Sequence, residues 1–247
     1  MRVLQPDTIR HFIANPSFDG SRVYQDAWSD PEGTVLCMDE RQGTLRSFIS
    51  PDNQLSEIDW FQIMFGIASH LADAHAQGQV HKDLKPSNGI TPASPMHVDM
   101  IVLVDLTEQY MILHSNVRLT DYGVQPLSRI QLAGNHTIPG TLSYWAPEIR
   151  NLGNAATAQT DIWALGCIGY EMCLGQALSQ NNNRAALDTR IRGGPMDLSA
   201  LDHRFGYHVR YILGGCLECN SSLRWSAMDI RNYIQNLFRQ TGLNTFG

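Results

Sequence analysis

The stretch that decides the fold is His81-Lys82-Asp83-Leu84-Lys85-Pro86-Ser87-Asn88. It is polar, carries a proline and follows a segment of strong helical periodicity, so it reads as a loop. An aspartate and an asparagine five residues apart on a loop can be plain turn formers. The neighbours point to one job instead. Phosphoryl transfer needs a carboxylate that orients an attacking hydroxyl and accepts its proton. It also needs a cation near the transferred group and oxygen ligands for magnesium. Asp83, Lys85 and Asn88 offer these three in order.

Beyond that loop, Asp121-Tyr122-Gly123 follows a short strand-like run, Val117 to Thr120. Asp121 is a second hard-oxygen ligand for magnesium, and Gly123 permits an unusual backbone turn. Gly140-Thr141-Leu142-Ser143-Tyr144-Trp145-Ala146-Pro147-Glu148 comes next, then Asp161-Ile162-Trp163-Ala164-Leu165-Gly166. Taken in this order, the chain resembles the protein kinase family. That family's catalytic loop, H-R-D-L-x-x-x-N, is followed by D-F-G and A-P-E. The resemblance runs roughly from residue 7 to residue 240, apart from an insertion at about 90–112. Lys85 after Asp83, with Gly140-Thr141 before Ala146-Pro147-Glu148, resembles serine/threonine rather than tyrosine kinases. The Asp-Tyr-Gly variant and the general texture look like the NIMA-related group.

The resemblance implies a role for each matching residue. Asp83 would be the catalytic base and Lys85 would contact the transferred phosphate. Asn88 and Asp121 would hold magnesium. Thr141 would sit beside the substrate residue and help orient Asp83. Met38 would be the gatekeeper, and Asp39, Glu40, Arg41 and Gln42 would form the hinge, where adenine would meet backbone groups. His81 and Tyr122 would pack in the spine joining two lobes, and Asp161 would brace the catalytic-loop backbone. Glu148 would pair with Arg224 from the segment Ser221-Ser222-Leu223-Arg224-Trp225-Ser226. The implied cofactors are ATP and Mg2+, and the implied partner is a protein substrate.

The family also has a Gly-rich loop, G-x-G-x-x-G-x-V, and a strand lysine paired to a glutamate. Neither can be found. The glycines before Asp83 are Gly20, Gly33, Gly43, Gly66 and Gly78, none at the loop's spacing, and no lysine precedes Lys82. Losing one preorganised electrostatic group costs about 10²–10³ in rate, and here several are missing together. ATP binding and phosphotransfer are therefore expected to be impaired, which leaves a non-catalytic pseudokinase acting as an interaction or allosteric module as the alternative. Lys82 stands where the family's arginine can grip an activation-loop phosphate bidentately, so control by phosphorylation at Ser128 or Thr137 is disfavoured.

The remaining segments give an α+β expectation: a mainly helical C-lobe with a reduced N-lobe remnant of about two strands and a short helix. Residues 1–41 would be the remnant and hinge, and 42–247 the C-lobe. Asp7 to Ala14 could form the short helix. Arg22 to Trp28 and Thr34 to Met38 read as strands around the turn Asp30-Pro31-Glu32-Gly33. Ser56 to Gln77 predicts an amphipathic helix with the stripe Ile58, Phe61, Met64, Phe65, Ala68, Leu71 and Ala72. Ser56 and Asp59 have capping-box spacing. Asp161 to Leu174 is apolar on nearly every side, the pattern of a core helix. A last helix should start at Ser226, with Asp229 again at capping-box spacing, and bury Ile230, Tyr233, Ile234, Leu237 and Phe238.

Bulk properties agree with one large or two small domains. The chain has 247 residues, 43% apolar and 17% charged, with net charge −6, an ordinary globular balance. The acidic excess argues against a nucleic-acid or anionic-membrane surface. The start lacks a signal-peptide core, and the run Ile162 to Leu174 is too short to span a bilayer. A cytoplasmic or nuclear setting is the expectation. Five scattered cysteines do not suggest a disulfide framework. Cys216 and Cys219 form a lone C-x-x-C, whereas a zinc site needs four ligands, and the helical pattern nearby places both on a helix. The only lysines are Lys82 and Lys85, both in the loop first quoted.

Overall fold

The computed structural model describes residues 24–30, 33–38, 45–49, 55–86, 144–152, 155–176, 189–190, 192, 201 and 205–241, and the structural statements below concern these. The expected helix at Asp7 to Ala14, the insertion at 90–112 and the strand Val117 to Thr120 lie outside them.

Strands β1 (Tyr24–Asp30) and β2 (Gly33–Met38) pair antiparallel, with Trp28 opposite Val35 and Asp30 opposite Gly33. The first strand thus runs two residues further than its composition suggested, because its pairing continues to Asp30 opposite Gly33.

Helix α1 (Leu45–Phe48) is short. Helix α2 (Glu57–Ala76) starts as its sequence dictates. Ser56 Oγ accepts the Asp59 N–H at 3.1 Å, and Asp59 Oδ2 accepts the Ser56 N–H at 3.0 Å. Two orphan donors of the first turn are thereby satisfied. The chain leaves the helix through Gln77 and then Gly78, whose φ of 73° suits a residue without a Cβ.

The buried face of α2 is wider than the expected stripe. Ile58 is half exposed, whereas Trp60, Ile63 and Ile67 are buried. The reason is that α2 packs on two helices at once, α4 (Ala158–Leu174) and α6 (Ala227–Gln240). Trp60 Nε1 donates to the Gly169 carbonyl on α4 at 2.8 Å. Phe61, the next residue, meets Phe238 of α6 edge to face at 5.9 Å. A helix in two interfaces buries more than one stripe.

Helix α4 is the centre of the core, with every residue from Thr160 to Cys173 buried. It begins three residues earlier than expected, where the Thr157 N–H donates to Thr160 Oγ1 at 3.2 Å. It ends at Gly175, in the left-handed region at φ 64°. Helix α5 (Tyr207–Cys216) crosses α4 at Gly166. A Cβ there would lie 2.7 Å from Cys216 Cβ and 2.9 Å from the Leu217 side chain, so only glycine permits the approach.

Helix α6 starts at the expected N-cap, Ser226, whose hydroxyl accepts the Asp229 N–H at 3.1 Å. It buries Ile230, Ile234 and Phe238, with Tyr233 and Leu237 at the rim. The expectation that Cys216 and Cys219 share a helix is corrected. Cys216 is the last residue of α5, and Cys219 lies beyond it, its Sγ donating to the Arg190 carbonyl at 2.7 Å. The chain turns at Leu217, so the two thiols have different surroundings. Among the described residues no helix is long and apolar enough to cross a membrane.

Candidate active site

The loop His81 to Pro86 emerges from α2 and is held from beneath by α4. Asp161, buried in the first turn of α4, accepts the backbone N–H of His81 on Oδ2 at 2.7 Å and of Lys82 on Oδ1 at 2.8 Å. His75 Nε2, from the last turn of α2, reaches Oδ2 at 2.9 Å. Lys82 has φ 76°. A side-chain-bearing residue in that region costs about 1–2 kcal/mol. The charge-assisted bonds to Asp161 are worth more than this, so the twist is sustained and the residues after it are aimed.

Asp83 and Lys85 are what the twist presents. Their side chains are 3% and 4% exposed, and Lys85 Nζ lies 3.2 Å from Asp83 Oδ2 and 3.5 Å from Oδ1. Leu84 between them points into the core. His81 is fully buried. The Pro86 carbonyl accepts the Arg46 N–H at 2.8 Å and so ties the far end of the loop to α1.

A second buried network joins α4 to the segment before Ala146-Pro147-Glu148. Glu171, near the C-terminal end of α4, is fully buried. Its Oε2 accepts from Arg46 at 2.7 Å and its Oε1 from the Tyr144 hydroxyl at 2.7 Å, while Arg46 also donates to that hydroxyl at 2.9 Å. Burial, and then the Glu171 charge, hold the Tyr144 phenol well above its ordinary range. Sequence reasoning missed this triad. Its signal was Glu171 itself, which with Asp161 makes up the acidic residues of α4. A lone acid in an apolar helix demands a partner.

Helix α3 (Pro147–Leu152) carries Glu148. Arg224 meets it bidentately, at 2.7 and 3.0 Å. The guanidinium also donates to the carbonyls of Gln159 and Glu218, at 2.7 and 2.8 Å, and lies 5.2 Å from the Trp163 ring centre. The expected pairing of Glu148 with Arg224 and the expected brace from Asp161 are both present.

The structure therefore brings Asp83 and Lys85 together. Asn88, Asp121, Thr141, Asp39, Glu40, Arg41 and Tyr122 lie outside the described residues, and Met38 is described as the last residue of β2 by its backbone alone.

The protein kinase domain family matches residues 22–234. The chain is 29% identical over 145 residues to a probable serine/threonine-protein kinase PknB of Lactococcus lactis, covering 58% of this chain and 20% of that one. It is 29% identical over 184 residues to human serine/threonine-protein kinase Nek11, covering 74% of this chain and 24% of the relative. A third relative is the G2-specific protein kinase fin1 of Schizosaccharomyces pombe, 29% identical over 148 residues, covering 60% and 17%. The chain thus spans about a quarter or less of the length of these relatives. Its match over most of its own length, on a helical body whose central helix holds the His81 to Pro86 loop and whose Glu148 is clamped by Arg224, makes it a member of the eukaryotic-type serine/threonine protein kinase family.

Proposed function

We propose that this chain is a serine/threonine protein kinase-like domain that passes a phosphoryl group from ATP to a protein hydroxyl, but weakly, because its sequence has no Gly-rich loop or strand lysine. The observation that carries the reading is the buried Asp83–Lys85 pair at 3.2 Å on a loop pinned by Asp161. In this reading Asp83 orients the acceptor hydroxyl and takes its proton. Lys85 supplies the positive charge beside the transferred group. This donor set fits the acceptor and phosphoryl ends of the reaction. Asn88 and Asp121 would hold the cation, which when bound neutralises charge on the phosphates. Thr141 would position the acceptor, and Met38 with Asp39, Glu40 and Arg41 would take adenine. In the same reading residues 1–41 form a remnant N-lobe and hinge, and 42–247 the C-lobe with its insertion. A NIMA-related affiliation is favoured by the Asp-Tyr-Gly motif and by the likeness to Nek11.

The test is transfer of labelled phosphate from ATP to a generic serine/threonine protein substrate. A slow, magnesium-dependent signal that Asp83→Asn abolishes is expected. Its rate should lie at least about 10²–10³ below that of a family member with a Gly-rich loop and strand lysine. A signal unaffected by Asp83→Asn would overturn the role of Asp83. The absence of a Gly-rich loop in the sequence favours a second reading, a pseudokinase that binds a protein partner. Absence of both turnover and a magnesium-dependent thermal shift with ATP would select it.

A further inference from the structure

Asp161 is held by more than the loop it braces. Its side chain is 1% exposed, so its oxygens depend on donors from the chain. Two of these donors, the N–H groups of His81 and Lys82, belong to adjacent residues of one loop. The terminal torsion of an aspartate has broad wells, so the carboxylate turns easily and a short loop can turn with it. Those two bonds alone leave the direction of the loop open.

The third contact comes from another element. His75 Nε2 lies 2.9 Å from Asp161 Oδ2. A carboxylate only accepts, so this nitrogen carries the proton. His75 is well anchored. It sits in the last turn of α2, its side chain is 12% exposed, and its carbonyl accepts the Gly78 N–H at 3.0 Å. Helix α2 is in turn tied to α4, where Trp60 Nε1 donates to the Gly169 carbonyl.

We infer that His75 is a positioning residue for the Asp83–Lys85 pair and acts through Asp161. It fixes the plane of the carboxylate, the carboxylate fixes the left-handed turn at Lys82, and the turn aims Asp83 and Lys85. This pair is the one proposed above to carry phosphotransfer, and the role given to His75 rests on that reading. The path is short. Lys82, at φ 76°, gives its N–H to Asp161 Oδ1, and Asp83 follows it directly. Without the His75 bond, Oδ2 keeps the His81 donor and the carboxylate can rotate. Lys82 can then return to the right-handed conformation that a side-chain-bearing residue prefers. That return would swing Asp83 and Lys85 out of the surroundings that bury them. Groups of this kind keep their geometry only while their neighbours lock it.

Lys82 and Lys85 are the chain's only lysines, so a lysine-acetylating reagent reports this loop, and tandem mass spectrometry separates the two sites. Cys216, fully buried at the end of α5, reports opening of the fold by its alkylation. The experiment measures both rates in the full chain and in three variants. His75→Ala removes the donor. His75→Asn keeps an amide too short to reach Asp161, and His75→Gln carries one that reaches as far as Nε2. In the parent, Lys85 is 4% exposed and paired with Asp83, and should label slowly. Losing a bond to a charged group should speed Lys85 labelling roughly tenfold or more in the Ala and Asn variants, through local opening. The Gln variant restores the donor and should stay within about twofold of the parent. Cys216 labelling should keep the parent rate in all three. Unchanged Lys85 labelling in the Ala and Asn variants, or a Gln variant that behaves as Asn does, would overturn the inference. So would a parallel rise at Lys85 and Cys216, the mark of a residue that only stabilises the fold. If His75→Ala does not fold, the comparison of Asn with Gln decides alone. The readout needs no turnover, so a chain without phosphotransfer would still show it, and its failure would leave the labelled-phosphate test of Asp83 untouched.

Discussion

Asp161 shows how much one carboxylate decides at the residue scale. It takes three donors, from His81, Lys82 and His75. In Asp161→Asn the amide offers one oxygen and turns an N–H toward donors that need an acceptor. Leaving a buried donor unmet costs about 1–3 kcal/mol, and Lys82 loses what holds its φ. The variant should unfold at lower urea, by about 2–4 kcal/mol in total. An unchanged urea midpoint would contradict the bracing role. Glu148→Gln leaves the fully buried Arg224 guanidinium facing an amide, and breaking such a pair typically costs about 3–5 kcal/mol. Cys216 is a third case. Burial, opposed only by the Arg224 charge, pushes its thiol up to about 12. At pH 8 it should resist alkylation in the folded chain and react only after denaturation, as mass spectrometry of labelled peptides would show.

Helix α4 is the element on which the others depend. It sends Asp161 to the His81 to Pro86 loop from one end and Glu171 to Tyr144 and Arg46 from the other. Tyr144→Phe removes one hydrogen bond to each partner and should cost about 1–2 kcal/mol at pH 7. The sign of its pH dependence is fixed. The folded phenol is held above its ordinary value of 10.0, so the neutral form's contribution is complete below pH 10 and is lost as pH rises through the elevated folded value. The gap between parent and Tyr144→Phe should therefore narrow above pH 10 in urea titrations. Gly166→Ala tests the other face of α4. The added methyl meets Cys216 Cβ at 2.7 Å, and overpacking of this kind costs about 1–3 kcal/mol. An alanine variant as stable as the parent would mean that α5 shifts freely.

At the scale of the molecule, α4 is the most continuously buried helix among the described residues. Hydrogen exchange measured by peptide should be slowest between Thr160 and Cys173, which are buried throughout, and faster over Met228 to Gln240, where α6 has an outer face. The reverse order would refute α4 as the organising core. The proposed phosphotransfer belongs to this scale too. In that reading the Asp83–Lys85 pair would act without a Gly-rich loop or strand lysine, neither of which the sequence has, and a rate depends on such groups acting together.

The sequence by itself determined the local features. Ser56 with Asp59 and Ser226 with Asp229 announce helix starts because a cap needs only residues three apart. The ordered motifs around Asp83, Ala146-Pro147-Glu148 and Asp161 identify the family, because several specific short motifs in one fixed order rarely coincide by chance. Tertiary structure alone decided what depends on distant partners. It set the width of the buried face of α2, the parting of Cys216 from Cys219, the Arg46–Tyr144–Glu171 triad, and the seating of Trp225 on Gly215. These contacts join residues from about ten to more than a hundred positions apart, except for the turn at Cys216. Periodicity reports only that a residue is buried or exposed. Which neighbour it meets, and so which charge it must answer, is settled when the helices pack.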